Sequence, residues 1–314
     1  MIRVASIGEC MIELRQTTDG RFSRGYGGDT LNTAVYLARL GMPVDYVTAL
    51  GDDPLSDEMV AGWAAERVGT GLVVRLPGKL PGLYMIQTDE AGERRFYHWR
   101  DSSAVRSLMS LPQTEDILDA LAGYNLVYLS AITLSLYDEG GRRRLLGALA
   151  RVRQNAVRIA FDTNFRSRGW PDLDIARRSF QEAFDAADIV LASTEDMLAL
   201  YPGQSSDQLL ARISSGEAVM KLAEPGSIVR CAGVSEVVKA GPVPGTVVDT
   251  TAAGDSFAAA YLAARLGGAD PAVAARAGHR LAGAVVCHSG AIIPIDAMPP
   301  HILTGPTEPR EASA

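Results

Sequence analysis

Short apolar runs that stop at a glycine or polar turn alternate along this chain with longer segments in which apolar residues recur at helical spacing. IRVASIG at the start, YVTALG at 46–51, YNLVYLS at 124–130, VRIAFDTN at 157–164 and DIVLAS at 188–193 predict buried strands. Helical stretches over 30–40, 55–67, 138–153, 173–187 and 205–214 fall between them as βαβ crossovers demand. The pattern therefore predicts an α/β fold with a mainly parallel sheet flanked by helices. Two more helices are expected at about 254–267 and 271–288. The end, LTGPTEPREASA from residue 303, lacks apolar periodicity and reads as a tail after one domain over 1–302.

Residues 71–100 break this rhythm. LVVRL, LYMIQT, a DEAGE turn and RRFYHWR succeed one another with no helical segment, which is a hairpin pattern. The reading is a small antiparallel β-sheet set apart from the core, built from about 9–26 and 71–103. Phe96, His98 and Arg100 alternate with Tyr97 and Trp99, so one face could close over a ligand as a lid.

Composition narrows the function classes. Hydrophobic residues make up 47% and charged residues 21%, yet no apolar run approaches the roughly 18 residues that a membrane helix needs. The opening MIRVASIGE lacks the basic, apolar and small-residue order of a signal peptide, so a cytosolic protein without membrane attachment is expected. Cys10, Cys231 and Cys287 lie far apart without metal-ligand spacing, which disfavours a disulfide framework or a zinc site. A net charge of −7 without a basic run argues against nucleic acid as a partner; an anionic substrate would need local arginines.

Chemistry concentrates in VVDTTAAGDSFAAAYLAARLG at 247–267, where a strand end passes through small residues into an Ala-rich helix. Ala252, Ala253 and Gly254 let backbone N–H groups converge at a helix N-terminus, a position that suits a phosphate. Asp255 follows in the first turn, placed to take a proton from a substrate hydroxyl; the competing reading is an ordinary helix-capping Asp. A second cluster, RGYGGDTLNTAVYLARLG at 24–41, sets Gly28, Asp29 and Asn32 at the head of another helix. Their polar groups suit sugar hydroxyls, although Asp29 could equally be a plain N-cap. Thr30 breaks the dinucleotide fingerprint, and G-x-x-x-x-G-K-[ST] is absent, so neither a Rossmann dehydrogenase nor a P-loop kinase is indicated.

DTTAAGDSF at 249–257 resembles the D-T-x-G/A-A-G-D-x-F signature of the ribokinase (PfkB) family, and the 24–41 cluster resembles that family's sugar-binding signature. GECMIEL, LPGLYMIQTDEAGERRFYHWR, DTNFRSRGW at 162–170 and GAIIP at 290–294 extend the likeness toward the family's bacterial 2-keto-3-deoxygluconate kinases. The resemblance implies a ribokinase-like fold and ATP-dependent phosphorylation of a sugar acid, with Asp255 as base and the 252–255 amides as anion hole. It implies that Tyr84, His98, Arg100 and Arg166 meet the substrate, a guanidinium fork being well suited to its carboxylate. His98 stands where the family usually has an aromatic hydroxyl.

The nucleotide would neighbour Asn164, Arg166 and the loop Lys221, Leu222, Ala223, Glu224, Pro225 and Gly226, in which Ala223 replaces a usual glycine. Magnesium is expected near Glu195, and a potassium ion near Asp249, Thr251 and Gly290. Lids of this family often pair, which implies a homo-oligomer. A kinase of fructose, ribose or another ketogluconate, and a silent sugar-binding protein on the same fold, are the alternatives.

Overall fold

The computed structural model describes residues 2–17, 19–88 and 94–304. Its strands are β1 (Val4–Ile7), β2 (Met11–Gln16), β3 (Phe22–Gly27), β4 (Val44–Gly51), β5 (Val68–Gly69), β6 (Val73–Leu76), β7 (Leu83–Thr88), β8 (Arg94–Trp99), β9 (Leu126–Ser130), β10 (Arg158–Asp162), β11 (Ile189–Ser193), β12 (Glu217–Lys221), β13 (Gly226–Cys231) and β14 (Val234–Lys239). Its helices are α1 (Asp29–Arg39), α2 (Pro54–Ala65), α3 (Thr114–Ala120), α4 (Ala131–Ser135), α5 (Glu139–Arg153), α6 (Leu173–Ala186), α7 (Thr194–Leu200), α8 (Ser206–Ala211), α9 (Ala253–Leu266) and α10 (Pro271–Val285).

The continuous apolar runs are explained by a sheet covered on both faces. Ala5, Val127, Leu129, Ile159, Phe161, Val190 and Met220 join one buried cluster with residues of α3 to α8. Their strand neighbours Val4, Leu126, Tyr128, Ala160, Leu191 and Val219 join the other, with residues of α1, α2, α9 and α10. Successive side chains thus enter opposite cores. The sheet order is β14-β13-β12-β11-β10-β9-β1-β4-β5, with β6 also pairing β4. Pairings from β12 to β6 are parallel, while β13 and β14 close one edge antiparallel. Chain order reverses between β1 and β9, the kind of crevice where open parallel sheets bind ligands at their carboxyl ends.

The second sheet has the order β3-β2-β7-β8. It is the small sheet expected as a lid from sequence, with two antiparallel pairings and one parallel pairing between β2 and β7. LVVRL is not part of it. That segment pairs with β4 in the main sheet, because Val73 packs on one core and Leu72, Val74 and Leu76 on the other. The DEAGE turn at 89–93 and the tail from 305 lie outside the described residues.

Helix starts divide into two kinds. Asp53, Ser130, Asp138, Asp172, Ser193 and Ser205 cap their helices with side-chain oxygens, each accepting a backbone N–H. Helices α1, α3, α9 and α10 have no side-chain cap, and of these α1 and α9 open at the carboxyl edge of the sheet.

The far end of α9 is fastened by charge. Buried Glu217, at the amino end of β12, accepts from Arg265 Nε at 2.8 Å, Arg265 Nη2 at 2.7 Å and the Tyr261 hydroxyl at 2.7 Å. Arg265→Met leaves that carboxylate to the Tyr261 hydroxyl and to Arg158, 3.7 Å away, and is expected to cost about 3 kcal/mol in a urea titration. Adding Glu217→Gln should recover most of the loss; a single variant as stable as the parent would show that the pair holds nothing.

Candidate active site

Two uncapped helix ends meet here, and glycine makes the approach possible. A Cβ on Gly28 would sit 2.1 Å from the Glu9 carbonyl oxygen, so the entry to α1 can press against the β1–β2 turn only without a side chain. Gly28, not Asp29, holds the N-cap position. The Asp29 carboxylate is therefore free to accept from Asn164 Nδ2 at 2.9 Å. Asn32, one turn further along, is buried; its Nδ2 donates to Asp255 Oδ2 at 2.8 Å. Its Oδ1 is buried without a partner among the described residues, the kind of atom that a ligand hydroxyl completes.

At the head of α9, Ala252 adopts φ 60°, a left-handed conformation that a residue with a Cβ rarely takes. This turn aims the following amides outward. The Ala253 N–H bends back to the Thr250 carbonyl at 3.2 Å, which leaves Gly254 and Asp255 to head the helix. Within the 252–255 span expected from sequence, the Ala253 amide is thus engaged by its own turn. Lys221 Nζ lies 3.5 Å from where a Gly254 Cβ would be and 3.3 Å from Asp162 Oδ2. An ammonium group and helix-end amides therefore face the same space, an arrangement suited to a phosphoryl group.

Asp255 is not a helix cap. Burial, and then the charge of Asp29, push its carboxyl up to about 7, with Asp162 adding to the rise and Asn32 and Lys221 opposing it. Asp162, at the end of β10, is also raised by burial against the pull of Lys221. A carboxylate poised near neutrality, hydrogen-bonded to a buried Asn and next to helix-end amides, has the properties that a general base needs.

The DTNFRSRGW segment splits in two. Arg166 is exposed, donates to the Phe165 carbonyl at 2.7 Å and lies 3.6 Å from Asp196 Oδ1. Arg168, which sequence reasoning passed over, lies on the lid side: burial, then the charges of Arg100 and Arg168, hold the His98 imidazole below its usual range. His98 pairs with Tyr84 across β7 and β8, their rings stacked at 6.0 Å. Arg100 forms an ion pair with Glu9, a buried carboxylate of the β1–β2 turn. The pair is a charge contact without aligned hydrogen bonds: both Glu9 oxygens and Arg100 Nε and Nη2 are buried without a hydrogen-bond partner among the described residues.

On the other side of the cleft, the loop 221–226 closes through Leu222 N–H to the Gly226 carbonyl at 3.0 Å. Gly226 takes φ 156°, and a Cβ there would lie 2.9 Å from the Val238 carbonyl, so the essential glycine of this loop is Gly226 and Ala223 is tolerated. Ala223, Glu224 and Pro225 are exposed. Glu195 is exposed on the first turn of α7, whereas its neighbour Asp196 turns inward and accepts from Thr163 Oγ1 at 2.9 Å. Asp249 is buried; Oδ1 accepts the Thr251 N–H at 2.8 Å and Oδ2 the Gly290 N–H at 3.0 Å. Among the described residues no group of three or more His, Cys, Asp or Glu side chains could hold a metal.

Residues 1–298 match the pfkB family carbohydrate kinase pattern. The chain belongs to that family. It is a kinase that phosphorylates a sugar. A 2-dehydro-3-deoxygluconokinase of Dickeya dadantii is 43% identical over 305 residues, covering 94% of this chain and 98% of the relative. The fold recurs in the 2-dehydro-3-deoxygluconokinase of Thermotoga maritima, with a TM-score of 0.80 and 23% identity over 95% of this chain and 98% of that one. It recurs also in a fructokinase of Xylella fastidiosa with bound ATP, with a TM-score of 0.78 and 23% identity over 95% of each chain. No described helix is long and apolar enough to cross a membrane.

Proposed function

We propose that this kinase transfers the γ-phosphoryl group of ATP to the 6-hydroxyl of 2-keto-3-deoxygluconate. The observation that carries the mechanism is the hydrogen bond from Asn32 to Asp255, which places a raised-affinity carboxylate between a sugar-side helix and an uncapped phosphate-side helix. The name of the Dickeya relative supports the substrate, and the bound ATP of the Xylella fructokinase supports the donor.

In this scheme Asp29 and the unpartnered Asn32 Oδ1 hold sugar hydroxyls. The 6-oxygen forms a bond to the γ-phosphorus, the bond to the ADP oxygen breaks, and the hydroxyl proton passes to Asp255. Phosphoryl transfer is loose, so alignment and charge neutralisation matter more than proton removal itself. Lys221 and the amides of Gly254 and Asp255 neutralise the transferred group. The nucleotide lies along loop 221–226 and beside Asn164 and Arg166.

Magnesium, when bound, neutralises the phosphates. It commonly keeps several waters and takes one or two carboxylates. Inward-facing Asp196 and Asp162 fit that need better than exposed Glu195. A potassium ion at Asp249, Thr251 and Gly290 would share its carboxylate with two backbone amides and with the guanidinium of Arg15, 3.7 Å from Asp249 Oδ2. The exposed aromatic side chains Phe96, Tyr97 and Trp99 of the lid support self-association.

A coupled ADP-release screen over keto-deoxy sugar acids and neutral hexoses, with and without potassium at fixed ionic strength, tests this reading. Turnover should be fastest with 2-keto-3-deoxygluconate. A preference for fructose or ribose would reassign the substrate, and no turnover with any sugar would leave only a binding role. Equal rates in both buffers would remove potassium.

A further inference from the structure

A line of polar contacts runs from the lid to the loop that carries the phosphate-side helix, and its central member is a residue to which the proposed chemistry gives no part. Glu13 and Arg15 alternate onto one face of β2. The Tyr84 hydroxyl donates to Glu13 Oε2 across the lid, with Gly25 and Gly27 opposite leaving room; a Cβ on Gly27 would lie 2.7 Å from that hydroxyl. Arg15 Nε donates to Glu13 Oε1 at 3.3 Å. The guanidinium then leaves the lid: Nη1 donates to Ser289 Oγ at 3.1 Å and lies 3.7 Å from Asp249 Oδ2. Asp249 in turn binds the amides of Thr251 and Gly290, and Thr251 adjoins Ala252, whose left-handed turn aims the head of α9.

We propose that Arg15 is a positioning residue that couples occupation of the lid by the sugar acid to the geometry of the phosphate-binding turn. The inference rests on the reading that the sugar lies under the lid and the nucleotide phosphates at α9. Its physical basis is that Asp249 is a buried acid of the main body while Arg15 belongs to a different sheet. The strength of their attraction therefore depends on where the lid sits. A sugar that draws Tyr84 and β2 into place sets Arg15 on Asp249, which in turn holds the 249–252 turn in the form that receives phosphate. By reciprocity the nucleotide must then favour the sugar by the same factor.

Calorimetry of magnesium–ADP binding, alone and with saturating 2-keto-3-deoxygluconate, measures this without turnover. The parent is expected to bind ADP at least about 5-fold more tightly with the sugar acid present. In Arg15→Met that ratio should fall toward one, while ADP affinity without sugar changes little, and Arg15→Lys should retain part of it. Asp249→Asn should lose the coupling equally, and the double variant no further. Absence of coupling in the parent, full coupling in Arg15→Met, or additive losses in the double variant would overturn the proposal. If the keto acid itself does not bind, the substrate reading fails instead. The same ratios taken with the sugar that the screen selects then decide the role of Arg15.

Discussion

Replacing Asp255 by Asn is expected to lower kcat by about 10²–10⁴-fold, the range of a lost general base, while ADP affinity is retained. The amide keeps the shape and can still meet Asn32, so the loss reports proton acceptance rather than collapse of the site. The carboxyl is raised to about 7 by burial and by Asp29 of α1, with Asp162 at the end of β10 adding and Lys221 of β12 opposing. Parental kcat/KM should therefore fall about tenfold per pH unit below that value, because the base must be unprotonated. The stability effect has the opposite sign from that of a salt-bridged carboxylate. With the folded value above the unfolded one, the native state retains the proton between the ordinary carboxylate range and about 7, and stability is lost as pH rises through that window. Asp255→Asn should accordingly melt higher than the parent at alkaline pH and lose the advantage in acid. Near-parental turnover in the variant, or a kcat/KM profile flat between about pH 5 and 8, would remove Asp255 from the chemistry.

Arg100→Met is expected to reduce kcat/KM for 2-keto-3-deoxygluconate by about one to two decades, the equivalent of roughly 1.5–3 kcal/mol for a charge-assisted hydrogen bond. A side activity on a neutral hexose should barely change, since it has no carboxylate to lose. In the structure Nη2 of the guanidinium is taken up in the ion pair with buried Glu9, whereas Nε lacks a hydrogen-bond partner among the described residues and remains a donor for a substrate acid. Removing it also strands Glu9, which lowers stability for a reason unrelated to the substrate. The double variant Glu9→Gln/Arg100→Met separates the two effects: stability should return while acid selectivity stays lost. If the ratio of acid to neutral sugar were unchanged in both variants, the carboxylate would be bound elsewhere. Arg168, the other guanidinium near His98, would then be the next candidate, since Arg166 is turned to Asp196.

The buried strands, the crossover helices and the small-residue start of α9 were readable from the chain because each depends on neighbours in sequence. An apolar run covered on both faces looks the same wherever it is placed, and Ala252, Ala253 and Gly254 admit close approach whatever lies opposite. LVVRL was misplaced for the same reason. Its pattern suits any strand, and only the two cores on either side of β4 determine that it joins the main sheet. Charge partners escaped sequence reasoning altogether. Arg15 meets Asp249, Arg100 meets Glu9, and Asn32 reaches Asp255 across hundreds of residues, through space that chain spacing does not encode. Glu195 and Asp196 are adjacent in sequence, yet the helical rotation between them exposes one and turns the other inward. The sequence by itself determined the family, most of the parallel sheet and the small-residue helix start at 252–255, because these are local patterns of size and polarity. Only the tertiary structure decided which carboxylate is raised, which arginine faces the lid and which cation joins lid to turn, because electrostatic effects depend on distance and burial.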